Sequence, residues 1–260
     1  MKKKRLIPIF LLKDGFLVQS RNFNNFENIG DPFLAVSRFS QWMVDELIYL
    51  NINRENNPKQ KKIFFKIIKD LSKKAFMPIT VGGKISKLND IDDLLCAGAD
   101  KITINTMAYK KRGIISSSAK EFGSQCIVIS IDVKKINSEY LVFVNNGKLN
   151  TEIKLQEWVK ICQNEGAGEI LINSIDRDGS KKGYDFKILD KIKKKISVPL
   201  IFCGGAGKWI DFKKCIKRDE VDAAAAANIF HHYDQSDYLV KKYLTDNNVK
   251  NIREPQFFNL

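Results

Sequence analysis

The chain is poor in the residues that most often carry metal or redox chemistry. It has two histidines, His231 and His232, and five cysteines: Cys96, Cys126, Cys162, Cys203 and Cys215. The cysteines stand singly, with no CxxC pair and no histidine nearby, and most lie in apolar segments. They read as small buried hydrophobes in a reducing compartment, so no metal and no cofactor are expected. Histidine-based acid–base catalysis is equally poorly supplied. No apolar run approaches the roughly 18 residues that a membrane span requires. The N-terminal Met1-Lys-Lys-Lys-Arg-Leu-Ile-Pro-Ile-Phe begins like a signal peptide, but Pro8 interrupts it, Lys13-Asp14 stops it and no small-residue cleavage site follows. It reads as the first strand of a cytoplasmic protein.

Acidic residues are the minority charge. Lys and Arg number 44 against 30 Asp and Glu, a net charge of +14. The lysines are scattered over nearly every helical stretch, as around 59–62 and 191–195, with no aromatic-interleaved basic strip and no nucleic-acid motif. The excess reads as a solvated surface, with no nucleic-acid or membrane partner. An anionic substrate or an acidic protein partner is the remaining use for it.

What is present is a repeated alternation in a chain of 260 residues, 44% of them apolar. Short apolar runs at 5–12, 46–52, 78–81, 101–105, 126–132, 169–174, 199–203 and 222–227 alternate with amphipathic stretches. The latter predict helices near 32–43, 58–75, 87–97, 110–121, 153–165, 185–194, 209–217 and 235–244. Continuous rather than alternating apolar runs suit parallel strands covered on both faces. Eight strand–helix units predict a single α/β domain over 1–260, a (β/α)₈ TIM barrel. Pro78-Ile-Thr-Val-Gly-Gly and Pro199-Leu-Ile-Phe-Cys-Gly-Gly stand 121 positions apart, and Glu46-Leu-Ile and Glu169-Ile-Leu stand 123 apart. These near-equal offsets imply two half-barrels. Residues 137–150 predict a β-hairpin inserted after strand five, with Asn146-Gly147 at its turn.

In such barrels the reacting groups come from the carboxyl ends of the strands. Gly82-Gly83 and Gly204-Gly205 follow strands three and seven, where backbone N–H groups can reach an anion without a Cβ in the way. With Asn105-Thr106 and Ala226-Ala227 as neighbours, they form two cradles suited to a phosphate at each end of a substrate. The alternative is ordinary tight turns. Asp132 ends an otherwise uncharged strand, where a carboxylate is costly unless hydrogen-bonded or used. It is a candidate general acid/base with a raised pKa, or else a cap. Asp176 and Asp178, with Gly179, either bind substrate hydroxyls or organise the turn. At the opposite end Arg5, Glu46, Lys101 and Glu169 each begin a strand. Barrel closure would gather them into a ring of alternating sign, either a structural plug or a gate on an axial passage.

These segments resemble, over almost the whole chain, the cyclase subunit of imidazole glycerol phosphate synthase. The matching stretches include Lys13-Asp14-Gly15, Gly30-Asp31-Pro32, Asp45-Glu46-Leu47, Val81-Gly82-Gly83 and Gly98-Ala99-Asp100-Lys101. They continue through Phe122-Gly123-Ser124-Gln125, Ile131-Asp132, Gly166-Ala167-Gly168-Glu169, Ser174-Ile-Asp-Arg-Asp-Gly179 and Gly204-Gly205-Ala206-Gly207-Lys208. The resemblance implies a heterodimer with a glutaminase docked on the barrel's bottom face, where Asp100 would take part. Ammonia would pass the Arg5, Glu46, Lys101 and Glu169 gate to the top. There it would meet a bis-phosphate substrate, held by the two cradles and Asp178-Gly179, and worked on by two aspartates.

Asp132 corresponds to one of those aspartates. Leu11 stands where the resemblance places the other, Gln19 in place of a substrate-binding lysine, Asn51 of an aspartate and Lys84 of a third glycine. The catalytic end has changed while the ring is complete. That pattern is similar to paralogues associated with surface-polysaccharide synthesis. For those, the resemblance implies delivery of ammonia to an ATP-dependent sugar amidotransferase that turns an acetamido sugar into an acetamidino one. The alternatives are a histidine-biosynthesis cyclase that tolerates Leu11, and a non-catalytic phosphate-binding assembly subunit.

Overall fold

In the computed structural model of the chain, residues 3–255 are described, apart from 22, 24, 43, 54–56, 112, 194, 233 and 234. The strands are β1 (Arg5–Lys13), β2 (Phe16–Arg21), β3 (Asn25–Gly30), β4 (Leu47–Asn51), β5 (Ile79–Gly82) and β6 (Lys101–Ile104). They continue with β7 (Ile127–Ile136), β8 (Glu139–Val144), β9 (Leu149–Lys154), β10 (Glu169–Ser174), β11 (Leu200–Cys203) and β12 (Ala223–Ala226). The helices are α1 (Pro32–Gln41), α2 (Pro58–Ser72), α3 (Leu88–Cys96), α4 (Thr106–Lys110) and α5 (Gly113–Phe122). After them come α6 (Leu155–Asn164), α7 (Lys187–Ile192), α8 (Trp209–Ile216), α9 (Ile229–His232) and α10 (Ser236–Asp246).

Eight strands pair in parallel in the order β1-β4-β5-β6-β7-β10-β11-β12, and β12 returns to β1 with Arg5 opposite Ala223. The sheet is therefore a closed (β/α)₈ TIM barrel, as the alternation predicts. Inward-facing Ile7, Ile9, Ile48, Val128, Leu171, Ile201, Ala223 and Ala225 pack as one cluster in the interior. Their neighbours Leu6, Phe10, Leu47, Tyr49, Ile129, Ile170, Ile172 and Phe202 pack outward in the larger core. Burial on both faces is why the strands read as unbroken apolar runs.

Helix starts follow local chemistry. Asp31 and Asn57 cap α1 and α2, accepting hydrogen bonds from the Phe33 and Lys59 amides at 2.6 and 2.9 Å, and a proline opens each helix. The expected helix positions 43, 112 and 194 lie outside the described residues. The predicted 110–121 helix is two, α4 and α5, broken near Lys111.

Two excursions leave the barrel's top. The single hairpin predicted at 137–150 is instead a three-stranded meander, because β7 runs on past Asp132 to Ile136 and pairs with β8, which pairs with β9. Its first turn uses Asn137 and Ser138 at φ 45° and 77°. Its second contains Asn145, Asn146 and Gly147, all at positive φ, so Asn146-Gly147 does sit at a turn. The other excursion, the β2–β3 hairpin, was not predicted. β3 is mostly exposed and polar, so it lacks the apolar signal of a buried strand.

The half-barrel repeat is visible in detail. Asp100 accepts from the Ile79 amide at 2.8 Å and Asp222 from the Leu200 amide at 3.0 Å. Asp90 and Asp211 each accept from the amide three residues earlier, Lys87 and Lys208. At the bottom, α10 is fastened by a buried triad in which Lys241 Nζ lies 3.2 Å from both Asp45 and Asp237. Asp45 also accepts from the Leu6 amide at 2.9 Å.

Candidate functional site: a charged ring below and a buried aspartate at the mouth above

Barrel closure brings the four strand-starting charges together as the sequence predicts. Arg5 Nη1 lies 2.6 Å from Glu46, and its Nη2 pairs with Glu169. Lys101 Nζ lies 3.0 Å from both glutamates, so each cation touches both anions. Thr80 donates a further hydrogen bond to Glu46 at 2.6 Å. The glutamates are almost wholly buried and the cations about a fifth exposed, which places the ring at the boundary between solvent and the barrel interior. Burial alone would lower the pKa of Arg5; Glu169 and Glu46 outweigh it and raise the pKa above the ordinary value. Asp100 lies on the same end, exposed, with its carboxylate bonded to the Ile79 amide. In the same region Phe76, in the link between α2 and β5, is 83% exposed.

Above the ring, the inward alternation continues through Thr80, Thr103 and Ser130 to the mouth. Thr103 is 3% exposed, and its Oγ1 is buried without a hydrogen-bond partner. The mouth is a cavity of about 350 Å³ at the carboxyl ends of the strands.

Asp132 lies at its base, buried. Asn105 Nδ2 donates to Asp132 Oδ2 at 3.0 Å, and Asn173, opposite Asp132 in the β10–β7 register, also bonds its carboxylate. Burial pushes the Asp132 pKa up to about 7; the two amides pull against this and the nearby Asp178 carboxylate adds to it. A carboxyl balanced between protonated and ionised near neutrality is suited to proton transfer in both directions.

The other predicted mouth residues divide. Leu11 lines the cavity beside Ile9 and Leu50. Gln19 does not line it; its amide is turned onto Glu27 across the β2–β3 hairpin. Asn51 lines the wall and accepts from the Asn53 amide at 3.1 Å. Lys84 also lines it, in a left-handed conformation at φ 61°, and burial lowers its pKa.

The glycine pairs have a steric reason for being glycine. A Cβ at Gly82 would stand 2.2 Å from Thr103, one at Gly83 2.1 Å from Asn51 O and one at Gly205 2.3 Å from Gly183 O. Gly204, at φ 102°, is held against Ser174. Close backbone packing therefore accounts for these residues whether or not an anion binds. Ala226 packs outward with the helices, which leaves its backbone to face a ligand, whereas Ala227 lines the mouth. Thr106 Oγ1 accepts from the Asn145 amide at 2.9 Å, closing the β8–β9 turn over the end of β6.

Asp178 pins the opposite excursion, accepting from Ser20 Oγ at 3.1 Å and the Phe23 amide at 3.3 Å, while Gly179 takes φ 65° against Ser20. Asp176 bonds the Lys135 amide at 2.8 Å and so organises the meander. The two excursions meet where Phe23 lies against Gly147. His231 packs on Phe10 half-buried, and its desolvation lowers its pKa to about 4 and keeps it neutral.

Sequence reasoning missed Asn173 and Thr103. Both were findable by the period-two rule, since Asn173 shares the inward parity of Glu169 and Thr103 that of Lys101.

Residues 5–236 match the family described as histidine biosynthesis protein. The imidazole glycerol phosphate synthase subunit HisF of Sulfolobus acidocaldarius is 42% identical over 250 residues, covering 96% of this chain and 99% of that one. The subunit of the same name from Hydrogenobaculum sp. is 41% identical over 250 residues, with 96% and 98% covered. That from Bacillus cereus is 38% identical over 251 residues, with 96% and 99% covered.

Proposed function

The chain belongs to the HisF cyclase family of imidazole glycerol phosphate synthase, and from that premise we propose that it is the ammonia-receiving barrel of a glutamine-dependent synthase. The observation that carries this reading is the complete four-membered ring at the bottom, directly beneath an interior that ends at Asp132. A glutaminase subunit docks on the ring end, where Asp100 and the exposed Phe76 offer polar and apolar contact, and forms a heterodimer. Ammonia is small and neutral, so it can pass a parted ion pair that holds back larger or charged species. Inside, the unpartnered Thr103 hydroxyl supplies a hydrogen bond on the way to the mouth.

At the mouth, the relatives' name, imidazole glycerol phosphate synthase subunit, and the family resemblance support one reading: ring closure on a bis-phosphate substrate to give imidazole glycerol phosphate. The two glycine cradles, with Asn105, Thr106, Ala226, Ala227, Asp178 and Gly179, hold the phosphates and hydroxyls, and Asp132 moves the protons. The substrate's charge suits a chain with a net charge of +14.

Leu11 favours a second reading. A leucine cannot transfer a proton, and losing one positioned acid/base costs about 10² to 10⁴ in rate. The wall around it is aliphatic, with Ile9 and Leu50, and among the described residues lining the mouth the carboxylates are Asp132 and Asp178. In this reading the ammonia is handed on, without ring closure, to an ATP-dependent sugar amidotransferase that amidinates an acetamido sugar for a surface glycan.

The shared claim is tested by mixing the barrel with a HisH-type glutaminase. Complex formation and stimulated glutamine hydrolysis support it; absence of both removes the channel role and leaves an assembly subunit. The two mouth reactions are separated by supplying ammonia with the bis-phosphate substrate, or with an activated acetamido sugar and its amidotransferase.

A further inference from the structure

The lysines are not all scattered. On α2 Lys59, Lys62, Lys66 and Lys69 are exposed, as is Lys73 at its C-cap, and their spacing of three and four residues places them in a single stripe about 21 Å long. Among the described residues the acidic partner in this stripe is Asp70, 3.4 Å from Lys73. Exposed aliphatic side chains flank the stripe: Ile63 on α2 is 49% exposed, and Leu34 on the adjoining α1 is 63% exposed. Nothing in the described fold uses this face. It lies along the barrel's flank, running from Lys59 at the start of α2 to Lys73 just past its end.

We propose that this face of α2 is a peripheral docking surface for an anionic lipid bilayer. Five like charges in a row attract an anionic partner, and lysine, a hydrated point charge on a flexible stem, suits a fluid array of headgroups better than a fixed carboxylate pattern. Leu34 and Ile63 stand where aliphatic groups can dip into the headgroup layer, as on interfacial helices. Among the described residues no helix is long and apolar enough to cross a membrane, so attachment is to the surface. The proposal departs from the expectation that no membrane takes part, and it holds whichever reaction occurs at the mouth.

The test uses the full chain and sedimented vesicles, either phosphatidylcholine alone or with about one part in three phosphatidylglycerol. The anionic vesicles should bind, more weakly as salt rises, and the neutral ones should not. A Lys62→Gln, Lys66→Gln, Lys69→Gln variant should lose roughly ten- to a hundredfold in binding. A control with equal charge loss on the opposite flank, Lys187→Gln, Lys191→Gln, Lys217→Gln, should keep most of it. Leu34→Ser should weaken binding severalfold at unchanged charge. No binding to the anionic vesicles, equal binding to the neutral ones, or equal loss in both triple variants overturns the proposal. The last outcome would mean that net charge alone is responsible.

Discussion

Replacing Asp132 by asparagine should stabilise the protein, and by an amount that depends on pH. In the fold the carboxyl has a pKa of about 7 against an ordinary 3.8, because burial disfavours the charge. At about 1.4 kcal/mol for each tenfold change in proton affinity, ionised Asp132 costs about 4 kcal/mol of folding stability once the pH exceeds 7. The sign follows from the raised value. Folding takes up a proton at this site, so the full stability is present below the unfolded pKa and is lost as pH climbs from about 4 through 7. Asparagine does not ionise and can still accept from Asn105. If the Asn173 side chain turns over, its Oδ1, buried without a partner, can accept from the new amide. Urea denaturation of both proteins at matched pH checks this. The variant should gain well under about 1 kcal/mol near pH 4 and roughly 2 to 4 kcal/mol at pH 8, with an unchanged slope. Asp237, also raised to about 7 by burial, titrates in both proteins and cancels in the difference. A gain that is the same at both pH values, or a loss at pH 8, would refute the claim that Asp132 is held against its charge.

Other outcomes follow from the same geometry. Glu46→Ala or Lys101→Ala breaks the ring and should raise the ratio of glutamine hydrolysed to ammonia incorporated above one in the assembled complex; an unchanged ratio in both counts against a gate. Lys241→Met leaves Asp45 and Asp237 buried without their shared cation and should cost about 3 to 5 kcal/mol in thermal or urea denaturation. Leu11→Asp alone should leave ring closure at least about tenfold below a two-aspartate relative, because Gln19 still faces Glu27 and Asn51 and Lys84 are unchanged; steady-state kinetics with ammonia decides this.

The barrel was legible because each of its eight strands is buried on both faces and so writes a continuous apolar run. β2 and β3 were not, since a hairpin standing over the mouth needs few apolar side chains and its polar β3 looks like loop. The ring was legible by closure: four charges, three at a strand's first residue and Glu46 just before one, must meet once the sheet is circular. The meander was only half visible, because Asn146-Gly147 announces a turn while nothing in 133–136 marks where β7 stops. Asn173 escaped notice because an amide carries no charge to make its burial look costly. The glycine pairs show the opposite limit. Their places were readable, but the close contacts of Gly83 with Asn51 and of Gly205 with Gly183 require glycine for packing alone.

The claim that Leu11 has removed half of a proton-transfer pair is tested most directly by ammonia-driven turnover of the bis-phosphate substrate, measured beside the Sulfolobus acidocaldarius subunit under identical conditions. A kcat about 10² to 10⁴ lower, with substrate binding retained, is the predicted result. A kcat equal to the relative's would show that the mouth closes the ring without an aspartate at position 11, and would contradict it.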